Sequence, residues 1–439
     1  MEKYLKNKLG QGDNRFFIVY TLIAAFGAYF CMYAFRKPFS VATYADLSFL
    51  EMDLKTLLVI AQVLGYALSK FLGIKIISEL KSQSRFWMFL GLMAFAELML
   101  LMFAWVPVSW KVLFIFLNGI PLGLIWGIVF SYLEGRKMSE LLGAGLSISF
   151  IVSSGAVKSV GKWLVLDFGI SEFWMPVLTG LMFFPLLILF AWMLHLIPPP
   201  NERDQQLRTK RAPLNARQRR ELLQKFALGI FFMVVFYTLL SAYRDFRDNF
   251  AVEIWSALGY SDQPSIFTIS EIPIALTVLV IIGSLMFVKD NKKALAYYHY
   301  LIIASMLLVL SCTMLYQAGI VSPSVWMILM GLGLYLAYVP FNCLIFDRLL
   351  ATFKYVGTAG FLIYLADSFG YLGSISILLV KNFSFLNISW LDFFVVISYT
   401  LGIFGILTMS GSLLYFKSKL NTNSKKINLN EIAGSSTGS

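Results

Sequence analysis

The chain has 439 residues, of which 59% are hydrophobic and only 14% charged, with a mean hydropathy of +0.75 and a formal net charge of +12. That composition is too apolar for a soluble globule and points to an integral membrane protein. The surplus of lysine and arginine is accounted for by membrane topology and contact with anionic lipids, so it calls for no nucleic-acid partner.

A helix needs about 20 mostly apolar residues to cross a hydrocarbon core of about 30 Å. Runs of that length predict about twelve transmembrane helices, at 16–44, 54–78, 85–106, 110–133, 140–165, 173–197, 225–256, 266–288, 294–317, 323–349, 355–380 and 390–416. The first and seventh exceed what a bilayer requires, which implies tilt or projection beyond its surface. The first run leads into further helices and shows no small-residue cleavage site, so it is expected to stay as the first helix.

Basic residues fall mainly on one side of this arrangement. The amino-terminal tail (Lys3, Lys6, Lys8, Arg15), the loops with Lys75, Lys81, Arg85, Arg136 and Lys137, and the central connection share that side, against Lys55, Lys111, Lys162 and Lys381 on the other. By the positive-inside rule both termini are expected in the cytoplasm. The segment IPPPNERDQQLRTKRAPLNARQRRELLQK divides six spans from six. The predicted organisation is a six-helix bundle at 1–197, a basic linker at 198–224, a second bundle at 225–417 and a flexible tail at 418–439. Cys31, Cys312 and Cys343 sit in apolar surroundings at no metal-like spacing and read as packing residues.

The two halves echo each other. FRKPFSV at 35–41 and FRDNFAV at 246–252 close the first span of each half and align Arg36 with Arg247 at a common offset. A weaker echo joins LEGRKMSELLGAG at 133–145 with DRLLATFKYVGTAG at 347–360. Such internal symmetry is expected of a transporter built from two related bundles.

An arginine within a span costs about 2.5–3.5 kcal/mol on insertion scales and normally faces a polar cavity. Arg36 and Arg247 are therefore candidates for binding an anion, against the plainer reading that they snorkel to headgroups. Around Arg247, Arg244 and Asp248 are four apart and are expected to pair, leaving Arg247 available. Lys70, deep in the second span among Gly65, Ala67, Ser69 and Gly73, is a third cation, with Glu97, Glu271, Asp347 and Asp367 as candidate partners. Tyr33, Tyr66 and Tyr243, with Tyr29 and Tyr237, either line a cavity or pack helices.

The order Arg36-Lys37-x-Phe39, followed by Tyr66, Ser69, Lys70, Phe71 and Gly73 in the second span, resembles the organophosphate:phosphate antiporters of the major facilitator superfamily. The resemblance is strongest over residues 29–85. It implies an all-α major facilitator fold in the bacterial inner membrane, with Arg36 and Arg247 binding a phosphoryl group, Lys70 assisting and Arg244 a weaker match. The chain departs from that family in having no histidine within 140–165, and its loop after the second span keeps only Glu79 and Arg85 of the usual acidic-basic signature.

The expected function is secondary active transport of a small organic anion, such as a phosphorylated metabolite or phosphate, by exchange. Two guanidinium groups from different halves would grip the anion and draw the halves together. The alternatives are proton-coupled symport, with Asp245, Asp248, Glu271 or Asp367 as the coupling carboxylate, and a sensor that keeps a transporter fold. No enzyme motif such as HExxH or GxSxG occurs. No cofactor or metal is expected, and a monomer in contact with membrane lipids is the default.

Overall fold

The computed structural model describes residues 8–9, 15–45, 47–49, 52–78, 80, 82–133, 139–199, 216–285, 287–353, 355, 360–383 and 388–435. In the first half, helices α1 (Arg15–Tyr33), α2 (Leu54–Ser78), α3 (Arg85–Trp105), α4 (Val108–Leu133), α5 (Ser139–Leu166) and α6 (Met175–His195) follow the predicted spans. In the second half come α7 (Ala216–Asn249), the short α8 (Ala251–Ala257), α9 (Ile266–Leu285), α10 (Asn291–Gln317), α11 (Pro323–Cys343), the short α12 (Ile345–Thr352), α13 (Gly360–Phe383) and α14 (Trp390–Ser435). Among the described residues twelve helices are long and apolar enough to cross a membrane.

Three long predicted spans are shorter as helices. The first stops at Tyr33, and the chain turns through residues 34–37 into a 3-10 segment, Pro38–Val41. Its apolar run therefore includes a buried non-helical segment that hydropathy alone reads as helix. The seventh breaks at Phe250, and the tenth ends at Cys343 before a separate short helix. Two strands, Ser48–Phe49 and Met52–Asp53, form an antiparallel hairpin that the hydropathy pattern did not indicate. The last helix runs to Ser435, well past the predicted end at 416. Residues 200–215, most of the predicted linker, and 436–439 lie outside the described residues.

Where helices meet closely, glycine makes room. A Cβ on Gly65 would lie 2.1 Å from the carbonyl oxygen of Phe116, and one on Gly119 would lie 2.4 Å from that of Gln62, so α2 and α4 touch backbone to backbone. Small residues permit this approach where lipid supplies no hydrophobic drive between helices. Across the seam between the halves, α5 packs on α9 and α2 packs on α13. Gly155 of α5 sits against the Phe267 carbonyl, where a Cβ would approach to 2.2 Å. His299 serves structure: its Nδ1 donates to the Leu295 carbonyl at 2.8 Å and its Nε2 lies 3.0 Å from the Ser412 hydroxyl, tying α10 to α14. Cys31 and Cys312 are buried and unbonded to each other.

Replacing Gly119 by leucine forces α2 and α4 apart where no side chain can yield. The expected outcome is a loss of about 1–3 kcal/mol in stability, the usual range for overpacking, read as a lower melting temperature in detergent.

Candidate functional site

The site begins where α1 ends. Carbonyls of Phe35 and Arg36 fall in the turn beyond the helix, and at membrane depth they need donors. Asn118 of α4 donates to the Phe35 carbonyl at 3.2 Å and to that of Ala96 at 3.1 Å, and Gln62 of α2 donates to the Arg36 carbonyl at 3.0 Å. Gln62 also donates to the Asn118 amide oxygen at 2.9 Å, joining the two into one bracket. This bracket fixes the backbone that carries Arg36.

Arg36 is only 8% exposed, and its guanidinium carbon lies 4.2 Å from the Tyr66 ring centroid and 5.6 Å from that of Tyr33. Its Nε is buried without a hydrogen-bond partner. Among the described residues no carboxylate forms an ion pair with it. Aromatic faces lie directly against the charge, a favourable but partial substitute for water or a counter-ion, and Asp245 is within electrostatic reach without a close ion pair.

The second half treats its arginines differently. Arg244 pairs with its neighbour Asp245, Nη2 to Oδ1 at 2.6 Å, and stacks on Tyr338 while donating to that hydroxyl. Ser374 completes Asp245 at 2.7 Å. Arg247 donates to Glu271 at 2.8 Å and to the Met327 carbonyl at 3.2 Å, in a space left by the missing side chain of Gly331. The expected Arg244–Asp248 pair is therefore absent, and Arg247 is compensated instead of available. The i, i+4 rule failed because Arg244 turns to the adjacent Asp245 on its own helix, while Asp248 is taken by lysines of the other bundle.

Between the two half-sites lies a belt of aromatic rings. Tyr29 meets Tyr33 and Trp126, Tyr66 meets Tyr371 across the seam at 5.3 Å, and Phe150 of α5 meets Tyr335 and Tyr338 of α11 at 6.0 and 5.8 Å. Tyr237 stacks on Tyr338 and donates to Asp367 at 2.7 Å. Lys70 lies over the Tyr66 ring at 5.3 Å and within electrostatic reach of Asp367, without a close ion pair. Arg36, Arg244, Lys70, Tyr33, Tyr66 and Asp367 thus gather near the middle of the seam. Tyr243 does not join them, since its hydroxyl meets Ser398 at 3.0 Å and its ring stacks on Phe394 inside the second bundle. Sequence reading missed Gln62, Asn118, Tyr338 and Tyr371; the first two were visible as isolated amides within apolar runs.

On the side away from the termini, ion pairs close the seam. Lys37 reaches Asp248 at 2.5 Å and Asn249 at 2.9 Å. Lys158 and Ser154 of α5 bond the other Asp248 oxygen, and Lys55 pairs with Glu253 of α8. Ser159 and Thr268 add a hydroxyl contact at 2.7 Å. Below them a small cavity, with about 10 Å³ of room for the centre of a water molecule, is lined by Lys158, Arg247, Asp248 and Glu271 among others. Removing one partner of a buried ion pair strands the others and typically costs about 3–5 kcal/mol. Asp248→Asn is therefore expected to part this side of the seam, seen as a longer distance between spin labels at Asp167→Cys and Asp262→Cys.

The fold has parallels among solved structures. The chain superposes on a nucleoside transporter, NupG, with a TM-score of 0.59 at 17% identity, covering 90% of this chain and 98% of that one. A D-xylose-proton symporter gives a TM-score of 0.58 at 15% identity, covering 91% and 97%. These likenesses establish the major facilitator fold of two six-helix bundles. No curated protein sequence matches the chain. Residues 38–419 match a family described only as a Family of unknown function (DUF5690), and the chain belongs to that family.

Proposed function

We propose that the protein is a secondary transporter that carries a small organic anion across the membrane by alternating access. The observation that carries this reading is Arg36: a buried guanidinium at the seam of the halves, seated on Tyr66, with no carboxylate partner among the described residues. A solute bearing one negative charge would supply the missing counter-charge and bridge the halves as it did so. The aromatic belt suits a ring or a hydroxylated body beside that charge. The neighbours in structure are a nucleoside transporter and a sugar symporter, solutes of that general shape.

Because Arg247 is spent on Glu271 and Arg244 on Asp245, a grip by two arginines is not part of this reading. One unpaired guanidinium fits a carboxylate or phosphate monoester better than bare phosphate. Exchange follows from the same charge, since an empty site leaves Arg36 unscreened while the seam closes around it. Proton symport is the second reading, and Asp367 favours it: the residue is half-buried at the centre, bonded by Tyr237 and near Lys70. If the termini face the cytoplasm, as the positive-inside rule supports, the ion-paired side is the outer gate in this reading, and the conformation corresponds to one closed outward.

Uptake of a panel of labelled organic anions into proteoliposomes tests the proposal. Arg36→Ala is expected to weaken binding of the transported anion about 10- to 100-fold, the equivalent of a charge-assisted hydrogen bond, and Arg36→Lys to restore part of it. Acceleration by an inward proton gradient that Asp367→Asn abolishes would select symport over exchange. Saturable binding with no flux for any anion would instead indicate a sensor.

A further inference from the structure

The outer gate divides its charges unevenly. Among the described residues, its ion-pairing cations, Lys37, Lys55 and Lys158, all belong to the first bundle, and its carboxylates, Asp248 and Glu253, both belong to the second. Lys158 lies within electrostatic reach of both other lysines. All three ammonium-bearing side chains are nearly fully buried, at 2%, 2% and 4% exposed.

At the centre of this gate one carboxylate is gripped from the opposite bundle. Lys37 takes one oxygen of Asp248, while Lys158 and Ser154, one turn apart on the same face of α5, take the other. Two ammonium groups and a hydroxyl converging on both oxygens of a single carboxylate make up the donor set of an oxyanion site. In the closed gate the protein fills that site with its own side chain. When the gate parts, Asp248 leaves with the second bundle, and the donors remain together on the first.

We propose that Lys37, Lys158 and Ser154 form an outer capture site for an oxyanion, a carboxylate or phosphate, which takes the place of Asp248 when the seam opens. The proposal rests on the alternating-access reading. The neighbouring Lys55, released from Glu253 at the same moment, would add to the field that draws an anion in. The site then has two consequences: it holds the open gate open, and it delivers an anion to the same bundle that carries Arg36. Closure requires Asp248 to displace the anion, so the site empties toward the centre as the gate seals.

The spin-label pair at Asp167→Cys and Asp262→Cys, with the native cysteines replaced, reads the gate directly. Sodium phosphate and sodium sulfate are compared with sodium chloride at equal ionic strength. An anion that binds only the parted gate multiplies the open-to-closed ratio by one plus its concentration over its Kd, about tenfold at roughly nine times Kd. The expected result is such a rise with phosphate and sulfate but not chloride, reduced in Lys158→Gln and Ser154→Ala. Equal responses to all three salts would mean simple screening and overturn the proposal, as would no response in a protein whose gate Asp248→Asn still opens. If Asp248→Asn leaves the labels in place, the seam does not move, and the alternating-access reading falls together with this one.

Discussion

Within a bundle bounded by hydrocarbon, an ionised side chain persists only against a counter-charge, an aromatic face, a released carbonyl or water. That constraint explains the placement of nearly every charge described above. Lys111 illustrates its plain form: the residue is 3% exposed, donates to the Phe103 carbonyl at 2.6 Å and rests over the Phe173 ring, so it caps the end of α3. Arg247 with Glu271 and Arg244 with Asp245 illustrate the paired form. Arg36 satisfies the constraint least completely among the described residues, and it does so at the seam where both bundles meet.

The surrounding structure serves that exception. Gly65 and Gly119 let α2 and α4 come close enough for Gln62 and Asn118 to reach the end of α1. Those two amides replace the helical bonds lost after Tyr33, which lets the backbone turn and present Arg36 to the seam instead of along the helix. The ion-paired side of the seam lies just beyond, with Lys37 the next residue in the chain. One short turn thus supplies both the central charge and a lysine of that ion-paired contact.

Much of this was legible in the sequence. Twelve spans, the central division and the paired FRxxF segments followed from hydropathy and repetition, because lipid demands long apolar runs and duplicated bundles keep their end signals. Arg36, Arg244, Lys70 and Asp367, named from the sequence as candidate binding or coupling residues, lie near the centre, and Gln62, Asn118, Tyr338 and Tyr371 beside them were not named. Pairing is a property of tertiary distance, and Arg247 shows why it was not legible: its aligned position matches Arg36, yet Glu271, 24 positions away, lies at 2.8 Å. The equal offset of the two arginines in the sequence does not bring equal surroundings in the fold. Likewise Asp248, read as a partner on its own helix, turned out to belong to lysines from the other bundle.

The claim that unpaired charge marks the site and paired charge marks the scaffold is tested most directly by equilibrium exchange of a labelled organic anion in proteoliposomes, without any gradient. Two variants are compared with the parent chain: Arg36→Gln, and the double substitution Arg247→Gln with Glu271→Gln, which removes both members of a pair and leaves no stranded charge. The account predicts that exchange is lost in the first and retained in the second, with both proteins folded. Exchange that survives in Arg36→Gln and disappears in the double variant would contradict it and move the binding site to the Arg247 side of the seam.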